Sequence, residues 1–128
     1  MPSLIYAHMT WTTRLRAPLI TASVADFLEG FLRAQAARFS VHVLAIGMVT
    51  DHVHVLLHMP AGCDVSKLAQ YLKGASARVA NRDGITEPEL PLRWARGYDF
   101  RSVSPQALPS VERYLREQAT RHPLDRIS

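Results

Sequence analysis

Only one cysteine, Cys63, occurs in the 128 residues, so no intrachain disulfide can form and the fold must hold by packing, as expected in a reducing compartment. No apolar stretch approaches the roughly 20 residues that a membrane-crossing helix needs. Met1 is not followed by a charged and then apolar leader, so the expectation is a cytoplasmic protein with no membrane partner. Repeats, low-complexity tracts and linkers are missing too, and at this length the chain should form a single domain over residues 1–128 around one core. Acidic residues are the scarcer charge, 11 against 15 basic, leaving a net +4. That balance suits a partner carrying phosphates without requiring one.

What the chain does have is a strand-like run from Asp51 to Pro60, with His52 and His54 separated by Val53. Side chains alternate along a strand, so both imidazoles leave the same face, roughly 7 Å apart at their Cα atoms, as a two-point grip for a metal. The other face carries Val53, Val55, Leu57 and Met59, a packing face that leaves the histidine face polar. By itself such a pair is more often two bystander histidines on a half-exposed strand than a metal site.

Around this run the periodicities alternate. Ile5 to Arg14 is rich in β-branched and aromatic residues and reads as a first strand, closed by Pro18. Val24, Phe27, Leu28, Phe31, Leu32 and Gln35 follow helical spacing to about Phe39, with Ser23 as N-cap. Val41 to Val49 is a second strand, joined to the histidine strand by Thr50 and Asp51 in a tight hairpin. Asp64 caps a second helix whose Val65, Leu68, Leu72, Ala75 and Val79 share a face, leaving Lys67, Lys73, Arg78 and Arg82 to solvent. Residues 83–96, with Gly84, Pro88 and Pro91, form a loop. Gly97 to Ser104 is a last strand, and Pro105 and Pro109 lead into a final helix from Ser110 to about Arg121. The order β-α-β-β-α-β-α predicts an α+β, ferredoxin-like sheet with one additional C-terminal helix.

On that helix Tyr114 and Gln118 stand four residues apart and so share a side. A tyrosine hydroxyl, with an ordinary pKa near 10, needs a neighbouring metal or base before it can attack a phosphodiester. Two imidazoles and one amide oxygen would hold such a metal and leave positions open for phosphate oxygen and water. The mixed nitrogen and oxygen set admits Mn²⁺ and does not exclude Mg²⁺.

The residues that carry a family likeness run through nearly the whole chain: Tyr6-x-His8 to Arg16-x-Pro18, Met48-x-x-Asp51-His52-Val53-His54-Val55-Leu56-Leu57, Lys73-Gly74-Ala75-Ser76-Ala77-Arg78, Trp94 to Ser104, and Tyr114-x-x-x-Gln118. In this ordered set the chain resembles the single-tyrosine HUH transposases of the insertion-sequence TnpA type, among which are the REP-associated tyrosine transposases. The resemblance implies a DNA transposase that cleaves and rejoins single-stranded DNA at hairpin-marked ends. Tyr114 would be the nucleophile, forming a 5′-phosphotyrosine intermediate, and His52, His54 and Gln118 the ligands of Mg²⁺ or Mn²⁺. It also implies a homodimer with composite active sites, in which each tyrosine helix can complete the partner's metal site. Ten residues follow Gln118, a short tail by the standard of relatives that anchor this helix.

Arg14, Arg16, Lys73, Arg78, Arg93, Arg96 and Arg101 are phosphate-contact candidates, with Lys73, Arg78, Arg14 and Arg16 foremost. Trp11, Trp94 and Tyr98 are candidate stacking platforms. His58 falls farther along the histidine face, as a rim residue; His8 and His42 read as ordinary sheet residues, and His122 lies near the end of the final helix, where a cation is favourable. Asp51 reads as a turn residue. Two other activities fit the same residues: a domesticated relative that processes genomic palindromic repeats, and a catalytically inactive ferredoxin-like module that binds nucleic acid with structural histidines.

Overall fold

In the computed structural model, which describes residues 3–118 and 126–127, strands β1 (Leu4–Thr12), β2 (His42–Val49), β3 (His52–Pro60) and β4 (Asp99–Val103) form one antiparallel sheet. Helices α1 (Ala22–Ala37), α2 (Val65–Arg82) and α3 (Leu108–Arg116) complete the chain. The spatial order β2-β3-β1-β4 puts β3 between the parallel ends of the first β-α-β unit, which is the split arrangement expected from the sequence. Helix α3 ends at Arg116, short of the expected Arg121, with Glu117 at φ −95°, ψ 11° as its C-cap, so Gln118 stands just past it; residues 119–125, His122 among them, lie outside the described residues.

Period-two alternation sorts the two faces. Ala7, Met9 and Trp11 of β1 and Val53, Val55, Leu57 and Met59 of β3 are buried against Val24, Leu28, Leu32 and Ala36 of α1 and Leu68, Ala69 and Leu72 of α2. This is the core. The opposite face does not stay polar as expected: α3 lies across β2 and β3 on that side, and Leu56 and Leu115 are both fully buried. Amphipathic α3 needs an apolar seat, and Leu56, between His54 and His58 on the same face, supplies part of it.

Element boundaries differ from expectation for local reasons. Helix α1 is capped by Thr21, not Ser23: the Thr21 hydroxyl accepts from the Val24 amide at 3.3 Å. Ile20 is buried and its amide donates to the Thr50 carbonyl at 2.9 Å, which fixes where the helix can start. Strand β1 ends at Thr12 because the Thr13 hydroxyl donates to the Ala17 carbonyl at 2.6 Å and closes a 3-10 turn over Arg14–Arg16. Strand β4 begins two residues late because Gly97 sits at φ 81°, outside the extended region. Asp64 caps α2 as predicted, accepting from the Lys67 amide at 3.0 Å. Helix α3 starts ahead of Ser110, at Leu108, following a 3-10 turn over Pro105–Ala107. Within α1, Phe27 and Phe31 stack on each other at 4.8 Å.

Candidate active site

Strand β3 begins at His52, so His52 and His54 both face α3, with ring centroids 5.0 Å apart and planes at 81°. They are 5 % and 6 % exposed. His52 Nδ1 donates to Asp51 Oδ1 at 2.7 Å. Because a carboxylate only accepts, this bond fixes the proton on Nδ1 and turns Nε2 toward the interior of the site. There Nε2 meets Gln118 Oε1 at 3.2 Å. The orientation of the Gln118 amide is set independently, since its Nε2 donates to the Tyr114 carbonyl at 3.1 Å. His52 Nε2 and an amide oxygen therefore meet in a nearly dry site, as a hydrogen bond where Nε2 carries a proton and as two potential ligand atoms for a shared cation where it does not.

His54 is held in a parallel way. Directly across the sheet from it stands Thr10, whose hydroxyl is 3.0 Å from His54 Nδ1, and His8 Nε2 lies 2.8 Å from the same nitrogen. With Nδ1 engaged by these partners, Nε2 is the nitrogen that this histidine would offer to a ligand in the site. His8 is thus no ordinary sheet residue; burial pushes its pKa down, with Asp99 pulling it up and Arg101 adding to the lowering. Among the described residues no three His, Cys, Asp or Glu side chains converge as a ligand set, so a third protein ligand would have to be of another kind, and Gln118 Oε1 is placed for it.

The tyrosine reaches the site because α3 approaches the sheet closely at Gly47. This β2 residue pairs with His54, and a Cβ built on it would overlap the Leu115 carbonyl oxygen and lie 3.0 Å from Gln118 Cγ. Tyr114 stands edge-on to His54, with ring centroids 5.4 Å apart, and 6.3 Å from His8. It lines a cavity of about 460 Å³ together with His8, Thr10, His54, Asp99 and Arg101. A cavity of that size falls within the range of small-molecule sites. Gly47, Asp51, Thr10 and His8 were not recognisable as site residues from the linear pattern. The spacing of Thr10 and His8, two residues apart on β1, was the available signal.

Asp51 is more than a turn residue. It is 7 % exposed and its Oδ2 accepts from Arg16 Nε at 3.0 Å. Burial pushes its carboxyl pKa up, but the bonds from His52 and Arg16 and the charge of Arg16 outweigh this and hold it below the ordinary carboxylate range. The other predicted cations are dispersed. Arg14 and Arg78 are exposed. Lys73, expected in solvent, is half-buried on α2, in the helix layer away from the histidine face. Its Nζ donates to the Ala95 and Gly97 carbonyls at 2.8 and 2.7 Å and so ties down the loop before β4. Trp11 is core, 5.9 Å from Trp94, whose Nε1 donates to Ser76 Oγ at 3.1 Å. Tyr98 is exposed beside Ser66. His58 stacks on Tyr6 at 4.5 Å, away from the paired histidines.

The family described as "Transposase IS200 like" matches residues 2–118. The chain belongs to the IS200-like transposase family. The match takes in all of the strands and helices described above, and transposase activity, meaning DNA cleavage and strand transfer, follows from membership. The ISDra2 transposase TnpA of Deinococcus radiodurans is 29% identical over 117 residues, covering 87% of this chain and 81% of the relative. A solved structure from Deinococcus radiodurans assigned as a transposase is 26% identical with a TM-score of 0.70, over 92% of this chain and 93% of that one. A REP-associated tyrosine transposase bound to a REP hairpin shares the fold at a TM-score of 0.72, with 13% identity, over 92% of this chain and 68% of that one. The fold shared with these structures is here a four-stranded sheet with α3 across one face. None of its helices, among the described residues, is long and apolar enough to cross a membrane.

Proposed function

We propose that this IS200-like transposase cleaves single-stranded DNA through a covalent 5′-phosphotyrosine intermediate, with Tyr114 as nucleophile and a divalent cation, Mg²⁺ or Mn²⁺, held by His52, His54 and Gln118. The single observation that carries the reading is the meeting of His52 Nε2 and Gln118 Oε1 at 3.2 Å, each oriented by its own separate hydrogen bond, with Tyr114 on the turn of helix that precedes Gln118. When bound, the cation would polarise the scissile phosphate and offset charge in the transition state.

The chain's own residues supply the rest. Tyr114 Oη forms the new bond to phosphorus, and the bond from phosphorus to the 3′ oxygen breaks. The phenolic proton is given up, the departing 3′ oxygen takes up a proton to end as a hydroxyl, and because one phosphodiester replaces another no external energy source is needed. In the second step a 3′-hydroxyl attacks the phosphotyrosine and restores the phenol. His8, Thr10 and Asp51 orient the imidazoles, and the cavity beside Tyr114 receives the nucleotide next to the scissile bond. Arg14, Arg16, Lys73 and Arg78 are the proposed phosphate contacts. Arg14, Arg16 and Arg78 are exposed, and Lys73 retains one ammonium proton beyond its two carbonyl bonds. DNA hairpins are the proposed partner, supported by the solved relative bound to a REP hairpin. A homodimer with composite sites belongs to the same proposal; exchange of α3 would require it to leave the close seat at Gly47, where one chain already brings Tyr114 and Gln118 to its own histidines.

The chemistry has a polarity that tests it. With Mn²⁺ and a single strand carrying a hairpin from the flanking genomic sequence, a 3′ label should travel with the protein on a denaturing gel, whereas a 5′ label should appear only on a free fragment. The reverse distribution would rule out a 5′-phosphotyrosine link.

A further inference from the structure

We infer that Arg16 is a positioning residue for His52, acting through Asp51, and that its contribution to the reaction is made there more than at the DNA backbone. The inference rests on the reading of His52 as a metal ligand. Arg16 Nε donates to Asp51 Oδ2 at 3.0 Å while Asp51 Oδ1 accepts from His52 Nδ1 at 2.7 Å. Each carboxylate oxygen thus has its own partner, and the imidazole is the end of a three-residue chain.

The backbone is shaped to make this contact. Leu15 and Arg16 both adopt φ 56°, a left-handed conformation that residues with a Cβ avoid and that persists only where surroundings impose it. Two successive residues of this kind reverse the chain so that the arginine points back over the β2-β3 turn, while Leu15 is left 88% exposed. The same loop is tied to Asp51 through the main chain, since the Thr13 amide donates to the Asp51 carbonyl at 2.8 Å. Thr13 Oγ1 closes the loop by donating to the Ala17 carbonyl at 2.6 Å. Loop and turn are therefore joined at both backbone and side chain. An arginine serving only as a phosphate contact would not need this strained approach.

Removing the guanidinium leaves buried Asp51 anchored at its side chain by His52 alone, and so loosens the tautomer and ring orientation of His52. Removing a partner bonded directly to a metal ligand, as Asp51 is to His52, changes metal affinity by about 10- to 100-fold, and the lower end of that range is the expectation for Arg16, one bond farther out. Calorimetric titration of the full chain with Mn²⁺ should show a loss of that order in Arg16→Ala. Added to Asp51→Asn, the same substitution should cause almost no further loss, because the two act in series. Nitrogen NMR of the ring should find His52 as the Nδ1–H tautomer in the wild type and as a mixture in Arg16→Ala. Arg16→Gln, which keeps a donor without the charge, should recover part of the Mn²⁺ affinity and guards against a folding defect in the alanine variant.

The inference is overturned if Arg16→Ala binds Mn²⁺ like the wild type, keeps the His52 tautomer, and instead weakens a single-stranded DNA hairpin with a salt slope reduced by about 1, the signature of a lost phosphate contact. A wild type that binds no Mn²⁺ would remove the metal reading alone. The tautomer measurement needs no metal and would still decide whether Arg16 orients His52.

Discussion

Replacing Gly47 by alanine should move α3, and with it Tyr114 and Gln118, off the sheet. The new methyl would overlap the Leu115 carbonyl oxygen, a backbone atom that no side-chain rotation can move, and would press on Gln118 Cγ at 3.0 Å. Gly47 lies within β2 and is paired to β3, so the sheet side is the stiffer partner and the helix must give. Overpacking of this sort costs about 1–3 kcal/mol, a melting-temperature drop of roughly 4–12 °C for a domain of this size. The larger effect is on function, since displacing reacting groups by about 1 Å can slow a reaction about 100-fold. Gly30→Ala is the matched control: it lies on α1, where an added methyl meets nothing within 4 Å, and should be stabilising by about 0.4–1 kcal/mol with cleavage unchanged. Thermal melts, Mn²⁺ titration and single-strand cleavage on the two variants together form the assay. A Gly47→Ala protein with wild-type cleavage and wild-type Mn²⁺ affinity would refute the claim that the close seat of α3 places the tyrosine and the glutamine.

Other perturbations probe the ligands and their supports. His52→Ala should abolish Mn²⁺ binding at a stability cost of about 1–3 kcal/mol, because buried Asp51 loses one hydrogen-bond partner; a variant that loses far more stability yet retains Mn²⁺ would make His52 structural. Gln118→Ala should weaken Mn²⁺ less than either histidine change, and identical calorimetric titrations for variant and wild type would exclude the amide as a ligand. The Asp51 carboxyl is held below its ordinary value of 3.8, so the stability it contributes is complete above that pH and is lost as pH falls through the lower, folded-state value. Acid unfolding of Asp51→Asn should accordingly be flatter below pH 3.8 than that of the wild type, and an unchanged acid limb would show that the Arg16 and His52 contacts contribute nothing.

The element order and the sheet's packing face were legible in the sequence because period-two and helical spacing report burial directly, as Val53, Val55, Leu57 and Met59 did on β3. The spacing of His52 and His54 within β3 pointed to the candidate site the same way, and that of Tyr114 and Gln118 did so although α3 ends at Arg116, because the Gln118 amide bonds back to the Tyr114 carbonyl. What local periodicity could not reveal was contact between elements distant in sequence. His8 and Thr10 on β1 reach His54 across the sheet. Gly47 carries no side chain, and its meaning appears only when Leu115 is seen above it. Arg16 was read from the sequence as a phosphate contact, and its bond to Asp51 appears only with the left-handed backbone at Leu15 and Arg16. Lys73 shows the converse, a charge expected in solvent that is engaged by two backbone carbonyls.

The role of Tyr114 as nucleophile of a metal-assisted cleavage is tested most directly by a denaturing gel. The protein is incubated with Mn²⁺ and a 3′-labelled single strand carrying the flanking hairpin, wild type beside Tyr114→Phe. A shifted band in the wild type, absent with chelator and absent in a Tyr114→Phe protein that still binds the hairpin, is the result predicted. A covalent band that persists in Tyr114→Phe, or hairpin binding with no covalent band in the wild type, would contradict it.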